Sequence, residues 1–411
     1  MYSFRISFAV TVMLASAQLP LGAVPALIVS YDIVPQRVRA QNPDLAAARL
    51  LIREARGRAM NAGRLTNPEL ETAVENDARF GEWRVEVGFA QRFPVTNRLR
   101  LEKEIGRIEL EAAEAEVRNV ERELIATARQ AIIEVLALRQ RRTLLKQQKE
   151  LRDRFAAFLG EAAGRGEASP LDSGQAKIEA ASLDAELQQL SAREPGITGR
   201  LKTLLGMPPD APVHIAGSLP QPKLAAPPVD PDRRADFQAK KLETEAAGRS
   251  VQLEQARKYD DLEAGLFVGA ERTEDAPEGY EREAIIGFRI KVPLPLWNRN
   301  EGAIEEAAAR RERKELETRA LARGIRLEAE AAREEMVRWF GLLNEIEATL
   351  LPLADKHAED SESAFRSGQG DLQTVFRSRE RQLELASSRL DALLQFHLAR
   401  VRLDAALGNS N

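Results

Sequence analysis

Leu70, Thr72 and Val74 alternate with Glu71, Ala73 and Glu75, and shortly afterwards Trp83, Val85, Val87 and Phe89 alternate with Arg84, Glu86, Gly88 and Ala90. A period of two predicts strands with one apolar face and one small or charged face. The pattern returns as Leu262, Ala264, Leu266, Val268 and Ala270 against Glu263, Gly265, Phe267, Gly269 and Glu271. Its partner sets Ala284, Ile286, Phe288, Ile290 and Val292 against Ile285, Gly287, Arg289 and Lys291. The polar links Glu75–Glu82 and Arg272–Glu283 carry Gly81, Pro277 and Gly279, so each pair predicts a hairpin.

A long helical pattern follows each hairpin. From Arg98 to about Ala163 there is no proline, and apolar residues recur at Leu101, Ile105, Ile108, Ala112 and Ala115, then at Val117, Val120, Leu124, Ala128, Ala131, Val135 and Leu138. The alternation of threes and fours is a coiled-coil seam, and the run of fours is a stutter that unwinds it locally. At 1.5 Å per residue such a helix reaches about 100 Å. The second copy runs from Asn300 to about Arg366, with Pro352 as an expected kink. Each long helix ends in a glycine-rich turn, Gly164 to Asp172 and Ser367 to Leu372, where Ser169 and Asp371 are placed to cap helices returning toward Gly206 and Gly408.

These correspondences keep one order. Asp44 answers Asp236 at an offset of 192 residues, Pro94 answers Pro293 at 199, and Gly166 and Leu205-Gly206 answer Gly368 and Leu407-Gly408 at 202. Two tandem units of hairpin plus long helical hairpin are therefore expected, at residues 42–206 and 232–408. Between them Met207 to Pro231 holds 8 of the chain's 20 prolines and reads as an extended linker. The fold class is mainly α with a small β part.

Composition narrows the function. Charged residues make up 30% and aromatics 5%, a balance suited to long solvated helices. With a net charge of −4, nothing points to nucleic acid. The absence of cysteine excludes thiolate metal sites, disulfides and a cysteine lipid anchor. His214, His357 and His397 stand far apart in sequence, so no metal site and no cofactor are expected. Residues 1–17 read as a signal peptide: Arg5, an apolar run from Ile6 to Leu14, then Ala15-Ser16-Ala17, with cleavage placed as far as about residue 30. The alternative is a membrane anchor continuing to Ser30, interrupted by Pro20 and Pro25. The strand periodicity fits a soluble half-buried sheet as well as tilted membrane strands around a wet lumen. In the membrane case four strands cannot close a barrel, so several chains would have to share one.

Asn42-Pro43-Asp44-Leu45, Asn67-Pro68-Glu69-Leu70, Leu204-Leu205-Gly206-Met207-Pro208-Pro209 and Pro293-Leu294-Pro295-Leu296-Trp297-Asn298-Arg299-Asn300-Glu301-Gly302 carry a resemblance. In that order along the chain they resemble the TolC-like outer-membrane efflux proteins, and the last stretch is similar to members serving heavy-metal or cation exporters of the resistance–nodulation–division class. The resemblance implies a homotrimer in the outer membrane, its 12-stranded barrel continued as a helical tunnel through the periplasm. It also implies a periplasmic adaptor and an inner-membrane pump as partners. It makes Arg165, Gly166, Glu167, Ser169, Leu171, Gly368, Gln369, Gly370, Asp371 and Leu372 candidate adaptor contacts. Pro94, Pro293, Pro295, Trp297, Asn298, Arg299 and Gly302 become the strand-to-helix junction. Thr374 and Arg377 stand where well-studied members place entrance aspartates, so they are the candidate constriction, without a carboxylate gate. Glu194-Pro195-Gly196-Ile197-Thr198-Gly199 falls where the family runs a continuous helix, and a break or altered register is expected there.

The implied function is a passive conduit for small solutes, heavy-metal cations among them, and not an enzyme. A periplasmic adaptor or scaffold is the first rival, since it too uses long helical hairpins, although typically one rather than two in tandem. A soluble enzyme with a coiled-coil insertion is the second; it requires a compact glycine-rich or His/Asp/Glu site, and the sequence shows none.

Overall fold

The computed structural model describes residues 27–78, 81–224, 228–275, 277 and 279–409. The predicted signal peptide lies outside them. Leu27–Val29 is a short strand, β1, paired in parallel with β4 (Val213–Ile215), so the apolar stretch does not reach Ser30 as a helix. No helix among the described residues is long and apolar enough to cross a membrane.

Helices α1 (Val34–Gln41) and α2 (Pro43–Asn61) lead into the hairpin β2 (Glu69–Asn76) and β3 (Trp83–Phe93). The hairpin feeds α3 (Arg98–Gly164), which turns back as α4 (Pro170–Leu204). After β4 and a short 3-10 turn at Pro231–Arg233, α5 (Ala235–Ala256) leads to β5 (Leu262–Asp275) and β6 (Gly279–Lys291). The chain then runs through α6 (Glu301–Glu345) and α7 (Leu351–Arg366) and returns as α8 (Leu372–Ala406). The order helix, hairpin, long helix, return helix thus occurs twice.

Strand boundaries differ from the expected ones mainly at the second hairpin. There β5 and β6 continue through the polar link to Asp275 and Gly279, because each residue from Arg272 onward still finds a ladder partner. The 207–231 segment is not wholly extended coil, since β4 interrupts it. Two proline effects separate. At Pro352 α-helical bonding gives way to a π turn, Ile346–Leu350, just ahead of the ring. The break expected at 194–199 is absent: α4 runs through Pro195 without interruption. An interior proline costs about 3 kcal/mol, and contacts on either side of it offset that cost. Arg139 and Arg142 on α3 hold Glu194 at 2.9 and 3.1 Å, Ile197 packs against the core, and Leu201 is fully buried.

The core lies at mid-length of the helices. Between Ala128 and Leu138 α3 is buried nearly all round, packed by α1, β1, β4, the end of α4 and α8. A second cluster joins Ala329, Ala332 and Met336 of α6 to Phe396, Ala399 and Leu403 of α8. The linker is pinned to this core by two carbonyls. His397 Nε2 donates to Pro220 O at 2.9 Å, and Arg400 donates to Lys223 O at 3.1 Å.

Burial pushes the His397 imidazole below its ordinary 6.5, with Arg400 adding in the same direction. A depressed histidine contributes stability above its unfolded pKa, and that stability is lost as pH falls through 6.5 toward the folded value. The strap should therefore become more protease-sensitive on mild acidification. Asp404, raised by burial against Arg400 and Arg129, titrates with the opposite sign. Comparison with His397→Gln, which keeps a donor to Pro220 without the titration, isolates the histidine. Equal acid sensitivity in both chains would remove the assignment.

Candidate functional site

The four long strands form one antiparallel sheet in the order β2-β3-β5-β6. Cross-strand register aligns Leu70, Phe89, Leu266 and Phe288 in one row and Thr72, Val87, Val268 and Ile286 in the next. Among the described residues nothing covers these rows: Phe89, Leu266, Ile286 and Phe288 are each more than 60% exposed. The opposite face is a lattice of ion pairs. Arg289 reaches Glu71 and Glu86 at 3.2 and 3.3 Å, Arg84 reaches Glu86 and Glu271 at 3.1 and 3.3 Å, and Arg92 reaches Glu263 at 3.3 Å. Phe267 is the aromatic exception on this face. Its ring lies flat over Gly287, where a Cβ would stand 2.1 Å from it, and Arg289 sits 5.1 Å from the ring centroid. The sheet therefore inverts the usual arrangement, with an exposed apolar outside and a salted, paired polar side. Among the described residues the edge strands β2 and β6 each pair on one side only.

At the lower end of the sheet, the junction residues are held by asparagines. Asn298 Oδ1 accepts from the Asn300 amide at 2.9 Å, and Asn300 takes the left-handed conformation at φ 60°. Asn300 Nδ2 then donates to the Glu254 carbonyl and carboxylate at the end of α5, both at 2.9 Å. Beside it Arg98, at the start of α3, bridges Glu102 (2.8 Å) and Asp261 (2.6 Å), tying the two hairpins together. Around these groups opens a cleft of 910 Å³. Pro293, Trp297 and Arg299 stand exposed, Pro295 is half-buried, and Gly302 lies in the first turn of α6; Pro94 is the half-buried counterpart before α3.

The other pole holds the two turns. At the first, the amides of Gly166 and Glu167 donate to Ala163 and Ala162, closing α3 with Gly166 at φ +77°. The second closes identically, with Gly368 (φ +75°) and Gln369 donating to Phe365 and Ala364. Such a closure requires a left-handed residue just past the helix, which is why both turns carry glycine. Arg165 pairs with Glu167 at 3.0 Å, Ser169 accepts from the Leu171 amide at 3.2 Å, and Leu171 is 83% exposed. Gly370 and Asp371 are exposed and Leu372 half-buried; Asp371 caps α8, accepting from the Thr374 amide at 2.7 Å and hydroxyl at 3.2 Å. Arg379 and Arg366 hold the Glu362 carboxyl below its ordinary range.

Thr374 is therefore a capping partner, and exposed Arg377 lines a 210 Å³ cleft between the first helical hairpin and α8. Sequence reasoning missed what crosses that cleft. The Arg152 guanidinium on α3 is shared by Glu179 of α4 and Glu380 of α8, next to a Phe155–Phe376 contact at 4.7 Å. No sequence signal marks Arg152 among the many arginines of α3, since its partners are remote in the chain. Among the described residues no group of three or more His, Asp or Glu could hold a metal ion.

The chain thus presents a four-stranded sheet with an exposed apolar face and two open edges, carried on two long helical hairpins. Residues 34–206 match the family model for outer membrane efflux proteins. The chain is 23% identical over 376 residues to the cobalt-zinc-cadmium resistance protein CzcC of Cupriavidus metallidurans, covering 89% of this chain and 87% of that protein. Its fold is that of the outer membrane protein VceC from Vibrio cholerae (TM-score 0.73, 21% identity, 92% and 96% of the chains covered). It is also that of CusC, solved in connection with transmembrane channel formation (TM-score 0.70, 15% identity, 92% of each chain).

Proposed function

We propose that this chain is the outer-membrane channel subunit of a tripartite efflux system. Three copies donate four strands each to a 12-stranded barrel, and their helices continue it as a periplasmic tunnel. The observation that carries the reading is the sheet. Its apolar face is exposed, its polar face is cross-linked by ion pairs, and its two edges are open, a combination stable in lipid only when copies close edge to edge. The tandem order of units supplies the two hairpins per chain. The channel is a passive conduit; its energy comes from an inner-membrane pump of the resistance–nodulation–division class, reached through a periplasmic adaptor at the hairpin tips.

Cations suit this wall. On the polar face Glu69, Glu71, Glu75, Glu86, Glu263, Glu271, Glu281 and Glu283 outnumber Arg84, Arg92, Arg289 and Lys291. A conduit lined this way concentrates cations. The likeness to a cobalt-zinc-cadmium resistance protein points to divalent metal ions as cargo. Purified protein should migrate as a heat-modifiable trimer and conduct cations over anions in a planar bilayer. Release from membranes by salt alone, as for a periplasmic adaptor or scaffold, would refute the channel.

The tips offer a second test. Arg165→Glu removes an exposed cation, whereas Asp371 must be changed to Asn, because lysine there would also lose a cap worth about 1 kcal/mol. The double variant should assemble normally yet fail to restore metal tolerance to cells lacking the channel. Full tolerance would remove the tips from the adaptor contact.

A further inference from the structure

The junction that follows β6 carries more apolar surface than a chain turn requires. Val292, Leu294, Leu296 and Trp297 are 57, 68, 62 and 94% exposed, and two prolines stiffen the segment between them. Lys291 and Arg299 bracket the run, and among the described residues neither has an ion-pair partner, although the neighbouring Arg92, Arg98 and Arg257 are all paired.

We propose that the Val292–Trp297 loop is a membrane anchor that inserts into the periplasmic leaflet of the outer membrane, with Arg299 meeting lipid phosphates. The inference rests on the barrel reading. Three observations favour lipid over a second copy of the chain as the occupant. The loop continues the apolar face of β6, since Val292 keeps the parity of Ile286, Phe288 and Ile290. Height is the second: the run from Ala284 to Val292 measures about 27 Å along the strand. Tilted by about 40°, it covers only about 20 Å of an apolar band that is about 25 Å tall. The loop supplies the difference at the periplasmic end. Finally, an apolar wedge ending in a tryptophan and followed by the unpaired, exposed Arg299 matches the layered chemistry of a leaflet boundary.

Trp297 can be read alone in the full-length Trp83→Phe/Trp339→Phe chain, reconstituted as trimer in vesicles of phosphatidylcholine and phosphatidylglycerol. Its emission should lie at short wavelength and fall by about half with bromines placed near the headgroup, and by less with bromines deep in the tails. Arg299→Gln should reduce that quenching. Water-like emission from an intact heat-modifiable trimer would overturn the anchor. So would a blue-shifted emission that brominated lipid leaves unchanged, which would place Trp297 against a neighbouring copy. Failure to form the trimer at all is scored separately on the gel and overturns the barrel reading with it.

Discussion

Arginine at Ile286 is expected to abolish the assembled channel, whereas arginine at Ile285, its neighbour in the chain, is expected to be tolerated. The two side chains lie on opposite faces of β6. Ile286 is 84% exposed in the row of Val87 and Val268, near the middle of the apolar face. Ile285 stands opposite Gly269 on the face that carries Glu86, Glu271 and Glu283. An arginine at the bilayer midplane of a barrel costs about 2–4 kcal/mol, and in the proposed trimer the cost recurs in every copy. On the polar face the same guanidinium meets carboxylates. Heat-modified migration and membrane fractionation read both variants. Equal assembly of the two would show that the apolar face does not meet lipid, and loss with Ile285→Arg alone would invert the sheet.

What the sequence makes legible here is periodic. Period-two alternation located all four strands of the sheet, and the seam from Leu101 onward located α3 to within a residue of its observed end at Gly164. The helix caps were legible too, because Ser169 and Asp371 act on amides two and three residues away. Contacts that join distant segments were not. Asn42 caps α2 through the Leu45 amide and also donates to the Leu204 carbonyl at 2.8 Å, so two stretches that carry the family resemblance meet as one joint. Arg152 and its carboxylate partners are invisible for the same reason. The misjudged case, Pro195, shows the converse: a local rule predicted a break, and ion pairs and core packing from α3 overrode it.

That joint should be among the least forgiving places for a single methyl group. Gly206 follows α4 at φ +63°, and its amide and that of Met207 close the helix on Thr203 and Lys202. A Cβ there would lie 2.0 Å from the Gln41 carbonyl oxygen, which belongs to the α1–α2 corner fixed by Asn42. Backbone held on both sides cannot give way as the end of a flexible side chain would. Gly206→Ala therefore combines left-handed strain of about 1–3 kcal/mol with displacement of the corner from the end of α4. Gly408 occupies the equivalent turn after α8, at φ +77°, but the nearest atom to its added methyl is the Arg233 oxygen at 2.8 Å. At Gly166 and Gly368 nothing lies within 4 Å, so alanine there meets the conformational strain alone. The expected order of destabilisation is Gly206→Ala, then Gly408→Ala, then the two tip variants together, read as loss of unfolding midpoint in urea and as yield of assembled protein. Equal losses at all four positions would mean that backbone conformation alone sets the cost, and that the corner yields to the methyl group.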